Sequence, residues 1–158
     1  LDTRAGNVAA FLDTLAHAEG TTRFGFQDGY NVLVGGKISN SYDNHPRQLV
    51  WLPSYQINSS AAGRYQFLTS TWDDLVERFG IADFTPASQD LGAVQLIREC
   101  KALSLIHDGR IRDAIHACRN IWASLSYIEG KSKIAMIKFY CITSFDNFNL
   151  LSLIFAVG

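Results

Sequence analysis

The stretch AFLDTLAHAEG, residues 10–20, carries the reading from which the rest of the chain follows. Phe11, Leu12 and Leu15 recur at helical spacing with Val8 a turn upstream, and the same stripe extended by four residues lands on Glu19. Gly20 follows at once, where helices commonly end in a left-handed residue. The pattern predicts a helix from about Asn7, with Asn7 as its N-cap, to Glu19. Glu19 then sits at a helix C-terminus and on the apolar face. Both placements disfavour its ionised form, because the helix dipole is negative there and burial removes water from the charge. A glutamate held protonated near neutral pH is what a general acid requires. A solvated Glu in a fraying last turn is the other reading, and the helix alone leaves both open.

Downstream, Thr21–Gly29 is polar and dotted with glycine. Tyr30–Val34 reads as a short strand, broken by Gly35-Gly36, with Lys37–Ser39 as a return strand. Asn40–Leu52 is loop-like, with His45-Pro46 disfavouring helix, and Ser54–Ala62 has the small, polar composition of an exposed, mobile loop. Helices then dominate. Ser70 caps one, with Trp72, Leu75, Val76 and Phe79 as its stripe before Gly80. Thr85-Pro86 opens another toward Cys100, and a shorter piece over 102–107 ends at Gly109. The cleanest helix places Ile111, Ala114, Ile115, Cys118, Ile121, Trp122 and Leu125 on one face, with His116 among the solvated residues opposite.

The organisation is therefore α+β: a mostly helical body with a small β hairpin subdomain, about 28–60, flanking a cleft, and residues 1–125 forming one domain. The segment 126–158 changes character. Ile134–Val157 is apolar but interrupted by Lys138, Asp146, Asn147 and Asn149, which makes it a poor membrane span. One final helix over about 131–142 is expected there, and the rest carries no assignment.

Composition bounds the function. The 158 residues carry a formal net charge of −1, so no basic field points to nucleic acid or an anionic membrane. Three cysteines (Cys100, Cys118, Cys141) without C-x-x-C spacing argue against a disulfide framework or a zinc site. The four histidines form no H-x-x-x-H pair, and neither metal nor cofactor is expected. No apolar segment of the kind found in signal peptides opens the sequence.

A second informative stretch is Ala62–Phe67, AGRYQF. Gly63 permits close backbone approach, and Tyr65 with Gln66 supplies a ring face and an amide suited to a sugar. Core packing of Tyr65 and Phe67 is the alternative.

Ordered matches over about residues 10–125 carry a resemblance. They are Ala10–Asp13, Ala18–Thr21, Gly29-Tyr30, Val34–Gly36, Asp43, His45–Arg47, Gly63–Gln66, Ser88–Asp90 and Asn120–Leu125. In these the chain resembles the lambda-type phage endolysins, lytic transglycosylases of lysozyme-like fold. The resemblance implies that Glu19 is the catalytic residue without a second essential carboxylate. It implies that Tyr30, Gly63, Arg64, Tyr65, Gln66 and Trp122 bind substrate. It further implies that peptidoglycan is cut between N-acetylmuramic acid and N-acetylglucosamine, leaving a 1,6-anhydro end. A monomer is expected, held in the host cytoplasm until a holin opens the way to the wall.

After Leu125 the chain departs from the family's pattern, with Ser126–Gly130 replacing a Pro-Gly turn and a Tyr-Gly-Gln motif. Two alternatives stay open. One is a hydrolytic muramidase using Asp28 or Asp43 as a second acid. The other is a decayed, non-catalytic peptidoglycan-binding protein.

Overall fold

A computed structural model describes residues 3–24 and 27–128, with side chains up to Ser126. Helix α1 (Thr3–Glu19) buries Phe11, Leu12, Leu15, Ala16 and Glu19, the stripe read from the sequence. It begins earlier than expected, and Asn7 is not its N-cap. The Asn7 amide instead donates to the carbonyls of Ile106 (3.1 Å) and His107 (3.4 Å). These lie at the end of α4 (Leu103–His107), where carbonyls lack helical partners. Helix α1 thus packs on α4 and closes its open end.

The hairpin expected at Tyr30–Ser39 is reduced to one antiparallel bridge, Val32 with Ile38, around a 3-10 turn at Val34–Gly36. Val32, Leu33 and Val34 are all buried, so this run lacks the inside–outside alternation of a half-exposed strand. The two-stranded antiparallel sheet lies later, in residues read as loop. Strand β1 (Val50–Leu52) pairs with β2 (Ile57–Ser59), Trp51 opposite Asn58. One face of this hairpin packs Val50, Leu52 and Ile57 on a small cluster of Val34, Ala61 and Leu68. The segment leaving β2 is also not exposed: Ser59, Ala61 and Ala62 are buried.

The remaining helices are α2 (Thr69–Phe79), α3 (Pro86–Glu99), α5 (Ile111–Cys118) and α6 (Leu125–Ile128). Leu68, not Ser70, precedes α2, whose Trp72 and Leu75 are buried while Val76 and Phe79 stay partly exposed. Thr85 caps α3 through its hydroxyl, with Pro86 at the first helical position as expected. The long helix expected over Ile111–Leu125 stops at Cys118, whose carbonyl accepts from the backbone N–H of both Ile121 and Trp122 at 3.0 Å. That turn releases Trp122 and Ser124 from helical positions. The main core joins α1, the Ala62–Phe67 turn and α2–α6. The helix expected over 131–142 lies outside the described residues, as does Cys141. No described helix is long and apolar enough to cross a membrane.

Candidate active site

The last turn of α1 delivers Glu19 into the interior, where its relative exposure is 0%. Oε1 accepts a hydrogen bond of 2.5 Å from the Ser124 hydroxyl, and Oε2 is buried without a partner. Burial drives the carboxyl pKa well above its ordinary value of 4.5, and the Ser124 bond offsets only part of this. Gly20 ends the helix at φ 76°, its N–H donating to the His17 carbonyl at 3.0 Å. The buried Thr21 hydroxyl then bonds the Arg64 carbonyl at 2.8 Å, joining the end of α1 to the Ala62–Phe67 turn.

That turn is shaped from within. Ala62 and Phe67 exchange backbone bonds of 3.0 and 2.8 Å, with Gly63 at φ 79° and Gln66 at φ 52°. The Gln66 amide donates to Gly63 O (2.8 Å) and Val32 O (3.1 Å), which offsets the strain of a non-glycine residue in the left-handed region. Gln89 on α3 holds the turn from the other side. Its Oε1 accepts from Arg64 N at 2.9 Å, while its Nε2 donates to Tyr30 O (2.9 Å) and Phe84 O (2.8 Å). A Cβ on Gly63 would lie 2.2 Å from Gln89 Oε1, so only glycine allows this approach.

An aromatic and ionic layer stands behind the turn. The Tyr30 and Tyr65 hydroxyls both donate to Asp90 Oδ1, at 2.8 and 2.6 Å. Burial and the Asp90 carboxylate push the Tyr30 phenol up to about 12 and the Tyr65 phenol higher still. The Arg64 guanidinium lies 5.1 Å from the centre of the Tyr30 ring. It also bonds Asp13 at 2.6 Å and donates to the Asp28 carbonyl.

Of the six residues expected to bind substrate, Tyr30 alone is half-buried; Gly63, Arg64, Tyr65, Gln66 and Trp122 are all buried. The expectation that Tyr65 offers a ring face to a sugar is corrected. Its exposure is 1%, and it meets Tyr30 and Phe67 edge to face, at centroid distances of 6.3 and 6.0 Å. The Gln66 amide NH2 is likewise spent on the protein's own carbonyls, while its Oε1 is buried without a partner. Trp122 donates its indole N–H to Tyr65 O at 3.0 Å, which locks the segment bearing Ser124 against the turn. These residues form the floor and the supports of the site. Burying large rings and satisfying their polar atoms internally is the stronger option for a turn wedged between α1 and α3.

Asp28 and Asp43 are exposed, and Asp43 accepts from the Ser41 hydroxyl at 2.8 Å. Glu19 is the one buried carboxylate among the described residues. Sequence reasoning assigned no chemistry to Ser124, Thr21, Gln89 or Asp90. Each of the four bonds a partner 25 to 105 positions away, so no local pattern announces them.

With this geometry in hand, comparison with known proteins places the chain. A family model for endolysins matches residues 9–139. The chain belongs to the endolysin family. This endolysin is 49% identical to the endolysin of Escherichia phage lambda over 120 residues, 73% of this chain and 75% of that protein. It is 44% identical to the endolysin of Escherichia phage P2 over 130 residues, 75% and 79% of the two chains. The solved lysozyme from bacteriophage lambda superposes with a TM-score of 0.71 at 45% identity, covering 75% of this chain and 78% of that one. A second structure, bacteriophage lambda lysozyme complexed with a chitohexasaccharide, gives 0.70 at 45% identity over 74% and 77%. The fold is lysozyme-like α+β, and the class is that of peptidoglycan-degrading enzymes of phage lysis.

Proposed function

We propose that this endolysin is a peptidoglycan lytic transglycosylase in which Glu19 alone serves as acid and then as base. The observation that carries the reading is the buried, protonation-prone Glu19 carboxyl at the end of α1, anchored through one oxygen by Ser124 and unpartnered at the other. In the first step the Glu19 O–H protonates the glycosidic oxygen while the bond to C1 of N-acetylmuramic acid breaks. In the second, the Glu19 carboxylate takes the proton of the sugar's own 6-hydroxyl as that oxygen bonds to C1. The products are a 1,6-anhydro end and an intact N-acetylglucosamine hydroxyl, with no water consumed and Glu19 protonated again.

A raised pKa favours the acid half, and the Ser124 bond stabilises the carboxylate for the base half. Ser124 is thus a positioning residue. The exposure of Asp28 and Asp43 supports a mechanism without a second acid. A glycan as ligand is supported by the relative solved with a chitohexasaccharide. Glu19 is enclosed in this conformation, so glycan entry and the uncovering of Oε2 are one event in this mechanism. The partial exposure of Tyr30 supports a direct contact of its ring with sugar. A monomer released from the host cytoplasm through a holin belongs to the same reading.

Mass spectrometry of digested peptidoglycan in 18O-labelled water tests the proposal. Unlabelled anhydro-muropeptides are expected. Labelled reducing ends would instead establish a hydrolytic muramidase, and binding to walls without any cleavage would establish a non-catalytic protein.

A further inference from the structure

Two consecutive residues of α3 grip Tyr30 from end to end. Gln89 Nε2 donates to the Tyr30 carbonyl at 2.9 Å, and Asp90 Oδ1 accepts from the Tyr30 hydroxyl at 2.8 Å. The backbone is held a second time, by the Tyr30 N–H bond to the Gln27 carbonyl at 3.1 Å. Between these ends the ring is confined. The Arg64 guanidinium lies over it, 5.1 Å from its centre, and Tyr65 meets it edge to face. Arg64 is itself fixed, through its 2.6 Å bond to Asp13. Asp90 Oδ1 also accepts from the Tyr65 hydroxyl at 2.6 Å, so one carboxylate oxygen holds two phenols. What the bond can do for function differs between them. Tyr65 is buried and its ring belongs to the core. Tyr30 is half-buried and keeps surface for a ligand. A half-exposed ring that can turn must be ordered when a ligand lands on it, whereas a ring tied at its far end is ordered already on folding. A carboxylate is the stronger kind of tie, its bond to a phenol being roughly twice as strong as a neutral one.

We propose that Asp90 is a positioning residue for substrate: its carboxylate pre-orders the Tyr30 ring for a β-1,4-linked, N-acetylated glycan strand and so sets the affinity for that strand. This role rests on the reading in which Tyr30 meets sugar, and it adds a residue of α3 that acts through Tyr30. The same carboxylate has a second path, through Tyr65, whose carbonyl accepts the Trp122 indole N–H at 3.0 Å next to the segment bearing Ser124. The two paths leave different marks. A looser Tyr30 ring weakens ground-state and transition-state binding alike and raises KM, while a displaced Ser124 disturbs Glu19 and lowers kcat. The geometry favours the first path. Trp122 bonds the Tyr65 backbone, and the paired backbones of Ala62 and Phe67 hold that turn independently of the Tyr65 hydroxyl.

The test measures dissociation constants for chitohexaose, a soluble β-1,4-linked N-acetylglucosamine hexamer, together with KM and kcat on solubilised peptidoglycan. Tyr30→Phe removes the hydroxyl and keeps the ring. Asp90→Ala removes the acceptor, and Asp90→Asn keeps an acceptor for both phenols while removing the charge. Chitohexaose affinity is expected to fall by about 3- to 10-fold in Tyr30→Phe and in Asp90→Ala, the cost of ordering one side chain on binding. A fall of about 2- to 3-fold is expected in Asp90→Asn, whose neutral amide is the weaker acceptor. On peptidoglycan the loss should appear in KM rather than in kcat. In a Tyr30→Phe background either Asp90 substitution should add less than about 2-fold, because the bond it breaks is already gone. Asp90→Asn carries this cycle where Asp90→Ala does not fold. Unchanged affinity in the Asp90 variants, full additivity with Tyr30→Phe, or a loss confined to kcat would overturn the proposal and leave the proposed function standing. If the cycle comes out as expected yet peptidoglycan is not cleaved, or is cleaved only with water incorporated, the transglycosylase reading fails and the role of Asp90 stands.

Discussion

Glu19 is held against its own ionisation, and this gives the residue a stability signature beside the catalytic role proposed for it. Its folded pKa lies well above the unfolded value of 4.5. The folded state therefore keeps the proton longer, so this contribution to stability is full below pH 4.5 and is lost as pH rises through the folded pKa. Glu19→Gln removes the titration while keeping an acceptor for Ser124. At pH 7 the variant should be more stable than wild type by about 1–2 kcal/mol, a gain typical of relieving a strained catalytic group, and the gain should vanish near pH 4. Chemical denaturation at the two pH values checks this. Cleavage of peptidoglycan by the same variant should fall by roughly 100- to 10,000-fold, the range of a lost general acid. Ser124→Ala leaves Glu19 Oε1 buried and unpaired, and it removes the one bond that stabilises the carboxylate. The basic limb of the pH–rate profile should move to higher pH while the maximal rate drops by about 10-fold or more. An unmoved profile would show that Ser124 merely fills space.

At the scale of elements, the site depends on how tightly the Ala62–Phe67 turn sits between α1 and α3. Gly63→Ala places a Cβ 2.2 Å from Gln89 Oε1 and 2.8 Å from Phe84 Cζ, at φ 79°. Left-handed strain alone is about 1–2 kcal/mol, and displacing Gln89 unpairs Arg64 N–H, Tyr30 O and Phe84 O. A total loss of about 3–4 kcal/mol is expected. Repeating the substitution in a Gln89→Ala background should cost less, because part of the clash is already gone, and a double-mutant cycle in urea reads the coupling. These contacts explain why sequence reading succeeded unevenly. The stripe Phe11–Glu19 and the Thr85-Pro86 cap are set by neighbouring residues, so both are legible in the sequence. The Val32–Val34 run was misplaced as a hairpin strand because three buried neighbours look alike in a strand and in a core-crossing loop. Strands β1 and β2, at three residues each, are too short to show a period. The end of α5 at Cys118 was invisible because Trp122 and Ser124 leave the helix for partners at Tyr65 and Glu19, and tertiary bonds outweigh a continuing apolar stripe there.

Across the whole molecule two buried titratable groups act in opposite directions. His45 donates from Nε2 to Phe67 O at 2.8 Å and accepts at Nδ1 from Arg47 N at 3.1 Å, so its neutral ring is fully satisfied. Burial lowers its pKa from 6.5, outweighing the Phe67 carbonyl and Asp73, which favour the charged form. Below pH 6.5 the unfolded chain takes up a proton that the folded chain refuses, so stability falls as the solution is acidified through that range. Glu19 works from the other side, eroding stability as pH rises above 4.5. Each group contributes a slope of at most about 1.4 kcal/mol per pH unit. Between pH 4.5 and 6.5 the two slopes oppose each other, so each substitution uncovers the slope of the other group. Glu19→Gln should leave stability rising with pH toward 6.5, by removing the loss that Glu19 imposes above pH 4.5. His45→Gln should lower stability overall, since the ring also meets Phe84 edge to face at 5.0 Å, while leaving the fall above pH 4.5 that Glu19 imposes unopposed. Glu19 and His45 share no hydrogen-bond partner, so the double variant should show both changes added within about 0.5 kcal/mol at every pH. Urea midpoints from pH 4 to 8 for the wild type, both single variants and the double variant measure this. A double variant whose curve still slopes steeply on either side would mean that some other group governs the pH response of the fold.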